Sequence, residues 1–198
     1  MIKFNNLNSE APYQLFKEKF DDAIEAGQKS IEAISISSFN KEINEVDSRY
    51  VNLKFINNDE LIFFSNYNSP KASAFKSYSQ IAALVYWSSI NVQIRMKAKI
   101  KRTPKEFNQD YFFNRAKEKN ALAISSKQSE KTVSYEEVIK SYEITQKKAN
   151  LSKCPEYWGG FSFTPYYFEF WEGHESRINK REIYKNEGNE WIKSFLSP

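Results

Sequence analysis

Ile81–Ile100 reads IAALVYWSSINVQIRMKAKI, and two different strand patterns meet in it. Ile81–Trp87 is a nearly continuous apolar run and reads as a strand. From Val92 the pattern changes. Val92, Ile94, Met96, Ala98 and Ile100 alternate with Gln93, Arg95, Lys97 and Lys99. Side chains along a strand point to opposite faces in turn, so this segment is a half-buried antiparallel strand with one greasy and one polar face.

The same periodicity extends outward. Ile31–Ile36 and Tyr50–Ile56 alternate, and Leu61–Ser65 is a short apolar run after the turn residues Asn57, Asn58 and Asp59, which predicts a hairpin. Downstream, Phe161–Phe163, Tyr167–Trp171, Ser176–Tyr184 and Trp191–Phe195 read as further strands. Helices punctuate them. Leu15, Phe16, Phe20, Ala23 and Ile24 recur at helical spacing between Pro12 and a stop at Gly27. Lys71–Tyr78 is helical in composition, with Pro70 in its first turn. Thr103-Pro104 opens a helix toward Arg115, and Ser134 with Glu137 forms a capping box for a helix to Ala149. Ala116–Thr132 is polar and carries no clear period. The pattern predicts a mainly β, α+β protein: an antiparallel barrel with peripheral helices, not a doubly wound parallel sheet.

The chain has 198 residues, enough for one domain with a real core. Its 29 basic and 25 acidic residues leave a net charge of +4, which suits small anions and lacks the dense basic stripe of a nucleic-acid binder. One cysteine, Cys154, excludes an internal disulfide and a Cys-based metal cluster. One histidine, His174, argues against a histidine-rich metal site or a Ser/His/Asp triad. With no signal-like or membrane-spanning apolar segment, a cytoplasmic protein without membrane or nucleic-acid partners is expected.

Four blocks carry possible chemistry. In Arg49–Lys54 two cations stand an odd number of positions apart, so a regular strand sends them to opposite faces; exposed charges fit the same residues. Phe64–Lys71 runs from a strand through a polar turn into a helix start, where Ser65, free N–H groups and Lys71 suit a phosphate, as an ordinary turn would also read. Tyr111 and Arg115 stand one helical turn apart on the expected helix and so share a face, where a phenol and a guanidinium suit a phosphate, as a plain surface pair would also read. Tyr157–Tyr184 crowds rings, the pair Gly159-Gly160 and the guanidinia of Arg177 and Arg181 into one segment. That segment suits a flat anionic ligand, and equally a well-packed hairpin. There is no Gly-rich nucleotide fingerprint, so any nucleotide-like ligand must be held by side chains and turns.

Taken in order, RYVNLK, FFSNYNSPKA, Gln93 after a Tyr-Trp pair, YFFNRA, SKQS, YWGGF, FEFWEGHESRINKREIY and a closing W…LSP resemble the pyridoxine (pyridoxamine) 5′-phosphate oxidases, flavoproteins of the FMN-binding split-barrel class. The resemblance covers Glu45–Pro198 and, more loosely, the N-terminal helix at about 12–27. It implies one split-barrel domain over 1–198, with a dimerisation and site-forming segment at about 154–198. It implies FMN as cofactor, held by Arg49, Lys54, Phe64, Ser65, Lys71, Gln93, Gln128, Ser129, Trp171 and Arg181, with Trp171 and Arg181 coming from the partner subunit of a homodimer. Substrate would be held by Lys54, Tyr111, Arg115, Lys119, Arg177 and Asn179, with Arg177 and Asn179 nearest the chemistry and no metal. The implied reaction is oxidation of pyridoxamine or pyridoxine 5′-phosphate to pyridoxal 5′-phosphate, with O2 as acceptor, hydrogen peroxide as product, and ammonia from the amine. A cofactor-binding protein of the same fold with little turnover, or a flavin reductase on another substrate, is the alternative.

Four positions depart from the family pattern. Asn179 replaces a histidine and cannot take up a proton near neutral pH. Lys119 stands for a phosphate-binding serine, Pro70 for a cation, and Phe195 for an arginine.

Overall fold

The computed structural model describes residues 1–188 and 190–198. In chain order the elements are β1 (Lys3–Asn5), α1 (Ala11–Glu25), β2 (Ala33–Asn40), β3 (Glu45–Asn57), β4 (Glu60–Asn66), α2 (Pro70–Ser77), β5 (Gln80–Trp87) and β6 (Val92–Arg102). They continue with α3 (Lys105–Asn114), α4 (Lys117–Ser125), α5 (Tyr135–Lys148), β7 (Trp158–Glu172), β8 (Lys180–Glu187) and β9 (Glu190–Phe195).

Antiparallel pairing runs β3-β2-β5-β6-β7-β4 and returns to β3, which closes a six-stranded barrel. Closure removes the open edges that a flat sheet would expose. The alternation of β6 is what makes it a wall: Ile94, Met96 and Ala98 are fully buried, while Arg95, Lys97 and Lys99 face outward. The expected barrel with peripheral helices is therefore observed. β8 and β9 extend the sheet beyond the barrel from β7, and β1 adds a parallel strand beside β3.

α1 packs its apolar stripe on this core. Tyr13, Phe16, Phe20 and Ala23 are buried, with Phe16 and Phe20 edge-on to Trp87 at 5.4 and 6.0 Å and Tyr13 against Phe168 at 5.2 Å. Each such ring contributes roughly 1.5–3 kcal/mol through burial. The helix stops where Gly27 takes φ +74°, a conformation costly for any residue with a Cβ. The N-cap bond of the expected capping box forms too: the Ser134 hydroxyl accepts the Glu137 N–H at 3.3 Å.

Four sequence expectations are corrected. Phe161–Phe163 and Tyr167–Trp171 belong to one strand, β7, which runs through Pro165. Proline lacks a ladder donor, and it sits where the register to β6 shifts and where β7 passes from β4, its partner to Phe163, to β8, its partner from Tyr167. The strand expected from Ser176 begins only at Lys180, because 173–179 form a turn in which Arg177 has φ +59°. The segment 116–132 contains α4, whose buried residues are Asn120 and Ala121, so no apolar stripe announced it. Finally, β3 carries a register shift between Leu53 and Phe55, with consequences for Arg49 and Lys54 described below.

Candidate functional site

A cleft of about 900 Å³ opens where β3, β4, the start of α2, the end of α3 and the 128–129 loop converge. Ten of the expected site residues line it: Arg49 and Lys54 from β3, Phe64 and Ser65 from β4, Lys71 from α2, Tyr111 from α3, and Arg115, Lys119, Gln128 and Ser129 beyond it. Arg49 and Lys54 line the same cleft despite their odd spacing. The cleft takes residues from both parities of β3, Arg49 and Val51 as well as Tyr50 and Asn52, and a register shift between Leu53 and Phe55 interrupts the regular alternation beside Lys54. Tyr111 and Arg115 also meet there, though not on one helical face: α3 ends at Asn114, and Arg115 follows in extended conformation.

The lining carries six cationic side chains, Lys3, Arg49, Lys54, Lys71, Arg115 and Lys119, against one carboxylate, Asp47. That local excess of five exceeds the +4 of the whole chain. Some of these cations are already engaged. Arg49 donates to Asp47 at 2.5 Å, to the Ser38 hydroxyl at 2.8 Å and to the Ile36 carbonyl at 3.2 Å. That contact holds the Asp47 carboxyl below its usual range. Lys54 pairs with Glu32 at 3.6 Å.

The others keep capacity for an anion. Lys71 is buried, and its ammonium donates to the Ser65 hydroxyl at 3.3 Å. Ser65 and the Asn66 N–H both donate to Gln128 Oε1, at 3.3 and 3.2 Å, which ties the 128 loop to β4. Burial, and then the nearby Arg49 charge, push the Lys71 pKa down. Arg115 is likewise pushed down by burial, and its Nη1 is a buried donor with no partner among the described residues. An orphan charged donor of this kind costs free energy unless a ligand meets it.

Aromatic rings form one wall. Tyr111 stacks on Phe64 at 3.9 Å and Phe64 on Trp158 at 5.2 Å, while the Arg115 guanidinium lies over Trp158 at 4.9 Å. Burial raises the Tyr111 phenol, which stays protonated and able to donate. Behind this wall β7 passes so close to Tyr67, Thr103 and Asn108 that a Cβ at Gly159 would overlap the Tyr67 hydroxyl and one at Gly160 would lie 2.5 Å from Thr103 Oγ1. This close approach accounts for the glycine pair.

Five expected residues do not line the cleft: Gln93, Trp171, Arg177, Asn179 and Arg181. Gln93, Trp171 and Arg181 sit directly opposite one another on β6, β7 and β8 and form a lateral row. Arg177 and Asn179 lie in the turn between β7 and β8, where Asn179 Oδ1 accepts the His174 N–H at 3.0 Å and His174 Nδ1 accepts the Ser176 N–H at 3.1 Å. Sequence reasoning missed Asp47 and Lys3 as residues lining the cleft, and Trp158 as the ring packed against Phe64. Asp47 was findable from its two-residue offset from Arg49; Lys3 was not, since its place depends on pairing with Phe55 far along the chain.

Among the described residues no group of His, Cys, Asp and Glu could hold a metal ion, and no helix is long and apolar enough to cross a membrane.

The barrel, its β8–β9 extension and the cleft define a protein of the FMN-binding split-barrel fold. Comparisons in shape agree. PhzG from Burkholderia lata 383, solved in complex with tetrahydrophenazine-1-carboxylic acid, superposes with a TM-score of 0.90 at 23% identity, covering 96% of this chain and 93% of that one. A pyridoxamine 5′-phosphate oxidase-related, FMN binding protein from Nostoc punctiforme gives 0.79 at 13% identity, covering 96% and 100%. In sequence, residues 158–198 match the model of the pyridoxine 5′-phosphate oxidase C-terminal dimerisation region. Pyridoxine/pyridoxamine 5′-phosphate oxidases of Leptospira biflexa and Colwellia psychrerythraea are 33% and 31% identical over 189 residues, 94% of this chain and 89% and 87% of theirs. The chain belongs to the pyridoxine/pyridoxamine 5′-phosphate oxidase family of oxidoreductases.

Proposed function

We propose that this protein binds FMN and oxidises pyridoxamine 5′-phosphate or pyridoxine 5′-phosphate to pyridoxal 5′-phosphate. The observation that carries the reading is the pairing, in one cleft, of two cation clusters with unspent donors: Lys71 with Ser65 and Gln128, and Arg115 with Tyr111 and Lys119. Two phosphorylated ligands, a cofactor and a substrate, would use both. FMN, when bound, supplies the two-electron acceptor, which O2 regenerates with hydrogen peroxide as product.

The chain's residues would bind and orient. Arg49, Lys71, Ser65, Gln128 and Ser129 neutralise and hold the cofactor phosphate and its chain, with Phe64 beside them. Lys54 stands at the junction with the substrate. Arg115 and Lys119 neutralise the substrate phosphate, and Tyr111 donates a neutral hydrogen bond. Gln93, Trp171, Arg177, Asn179 and Arg181 complete the site from a second copy of the chain. Two observations support that homodimer: none of the five lines its own cleft, and four of them fall in the segment matching a dimerisation region. Arg177 would cover the pyridine ring, and Asn179 would offer a donor and an acceptor but no titrating proton.

Purified protein should be yellow, release FMN on denaturation, and form pyridoxal 5′-phosphate from at least one of the two substrates under air. FMN-loaded protein that forms none from either would overturn the enzymatic reading. One observation favours a second reading, a cofactor-binding protein with little turnover: Asn179 Oδ1 is already spent on the His174 N–H. In that case Asn179→His should raise turnover from near zero, whereas competent wild-type turnover removes this reading.

A further inference from the structure

Glu169 is a carboxylate in the C-terminal part of β7, 2% exposed, on the same strand face as Trp171 two residues on. Its ligation is complete. Oε1 accepts from Arg181 Nε at 3.0 Å and from Arg181 Nη2 at 2.8 Å. Oε2 accepts from Arg95 Nη2 and from the Tyr167 hydroxyl, the latter at 3.0 Å. A carboxylate offers about four acceptor directions, and all are filled. Burial alone would raise its pKa, but the bonds from Arg181, Arg95 and Tyr167 outweigh that and keep it ionised.

The consequence falls on Arg181. Of the five N–H bonds of a guanidinium, two go to Glu169 and one, on Nη1, goes to the Ser197 carbonyl at 2.9 Å. Two remain, one on each terminal nitrogen, and the guanidinium plane is fixed by three bonds, two to β7 and one to the C-terminal tail. Arg95, Glu169 and Arg181 together carry one net positive charge, beside Trp171, which is in register with both Gln93 and Arg181.

We propose that Glu169 is a positioning residue: it holds Arg181 so that its two remaining donors meet the bound FMN. This inference rests on the FMN-binding reading above. Arg95 and Tyr167 serve it by filling the second carboxylate oxygen, which prevents Glu169 from turning away from Arg181.

The test is FMN affinity of the full-length protein, measured by quenching of flavin fluorescence, in Glu169→Gln, Glu169→Ala, Arg181→Lys and the double variant Glu169→Gln/Arg181→Lys. Glutamine keeps the size of the side chain, so a folded protein is available even where alanine gives none. Glu169→Gln should raise the FMN Kd at least about tenfold, the scale of one lost charged hydrogen bond. The double variant should bind no worse than Arg181→Lys alone, because the two residues act through one guanidinium. A purely structural carboxylate would lower the melting temperature of the apoprotein while leaving the FMN Kd within twofold of wild type, and that result would overturn the proposal. Additive losses in the double variant would overturn it as well. Wild-type protein that binds no FMN would remove the underlying reading and this inference with it, whereas wild type binding FMN and Glu169→Gln binding it equally well would remove the inference alone.

Discussion

Replacing Arg115 by methionine should move stability and affinity in opposite directions. In the apoprotein Arg115 keeps a buried Nη1 without a partner among the described residues, a group that costs about 1–3 kcal/mol. Its placement over Trp158 at 4.9 Å returns about 0.5–2 kcal/mol through the cation–π contact, and methionine keeps most of the packing. At the middle of both ranges apoprotein stability should therefore rise by about 0.75 kcal/mol, roughly 2–3 °C in melting temperature for a chain of this size. Against a phosphorylated pyridine the same change removes one or two charge-assisted hydrogen bonds, about 3 kcal/mol in all, or roughly a hundredfold in Kd. Scanning calorimetry with and without pyridoxal 5′-phosphate reads both effects in one experiment. The wild type should gain melting temperature on adding the ligand, and Arg115→Met should start as high or higher and gain little. A variant that melts well below wild type, yet is stabilised by the ligand to the same extent, would refute the reasoning.

Three other outcomes follow from the same contacts. Burial raises the Glu182 carboxyl, but Lys193, the Tyr184 hydroxyl and Lys180 outweigh burial and hold its pKa at about 2. Glu182→Gln should therefore cost about 1–3 kcal/mol near neutral pH, the lysines being half-exposed, and the difference in urea stability from wild type should vanish as pH falls from 4.5 toward 2. Gly160→Ala should lose about 2–4 kcal/mol in a thermal melt, because its methyl enters the Thr103–Asn108–Tyr67 hydrogen-bond cluster; a melt within 1 °C of wild type would contradict the close approach. Lys71 has its pKa lowered by burial, so the unfolded chain binds more protons than the folded one below the usual lysine range. Apoprotein Lys71→Met should be the more stable form at pH 8, with its advantage shrinking as pH rises through the Lys71 pKa, while its FMN binding is weakened at every pH.

What could be read from sequence follows the physics of each segment. β6 announced itself because one face is core and the other solvent, so Val92–Ile100 alternates without exception. β1 did not, since three residues have no period and their pairing with Phe55–Asn57 is decided by tertiary structure. α4 lacks an apolar stripe, and its place is set by Asn120, whose amide donates to the carbonyls of Phe112 and Leu151 at 2.7 and 2.9 Å. The cleft residues were legible as residue types in order. Their convergence was not, because it depends on a register shift at Lys54 and a helix end at Asn114 that no local pattern specifies.

The length of β7 bears on how the protein behaves on dilution. Thirteen steps separate Trp158, packed against the cleft residue Phe64, from Trp171, in the row beside Gln93 and Arg181. At about 3.3 Å per residue that is up to roughly 43 Å, close to the full width of a folded chain of this size. A single continuous strand thus carries one ring to the residues behind its own cleft and the other toward its far end. Under the proposed assignment each chain gives away rings and guanidinia that it cannot use, and receives equivalents from its twin. Cofactor retention then becomes a second-order property: it depends on protein concentration as well as on free FMN, and a dilute preparation bleaches faster than its intrinsic affinity would suggest.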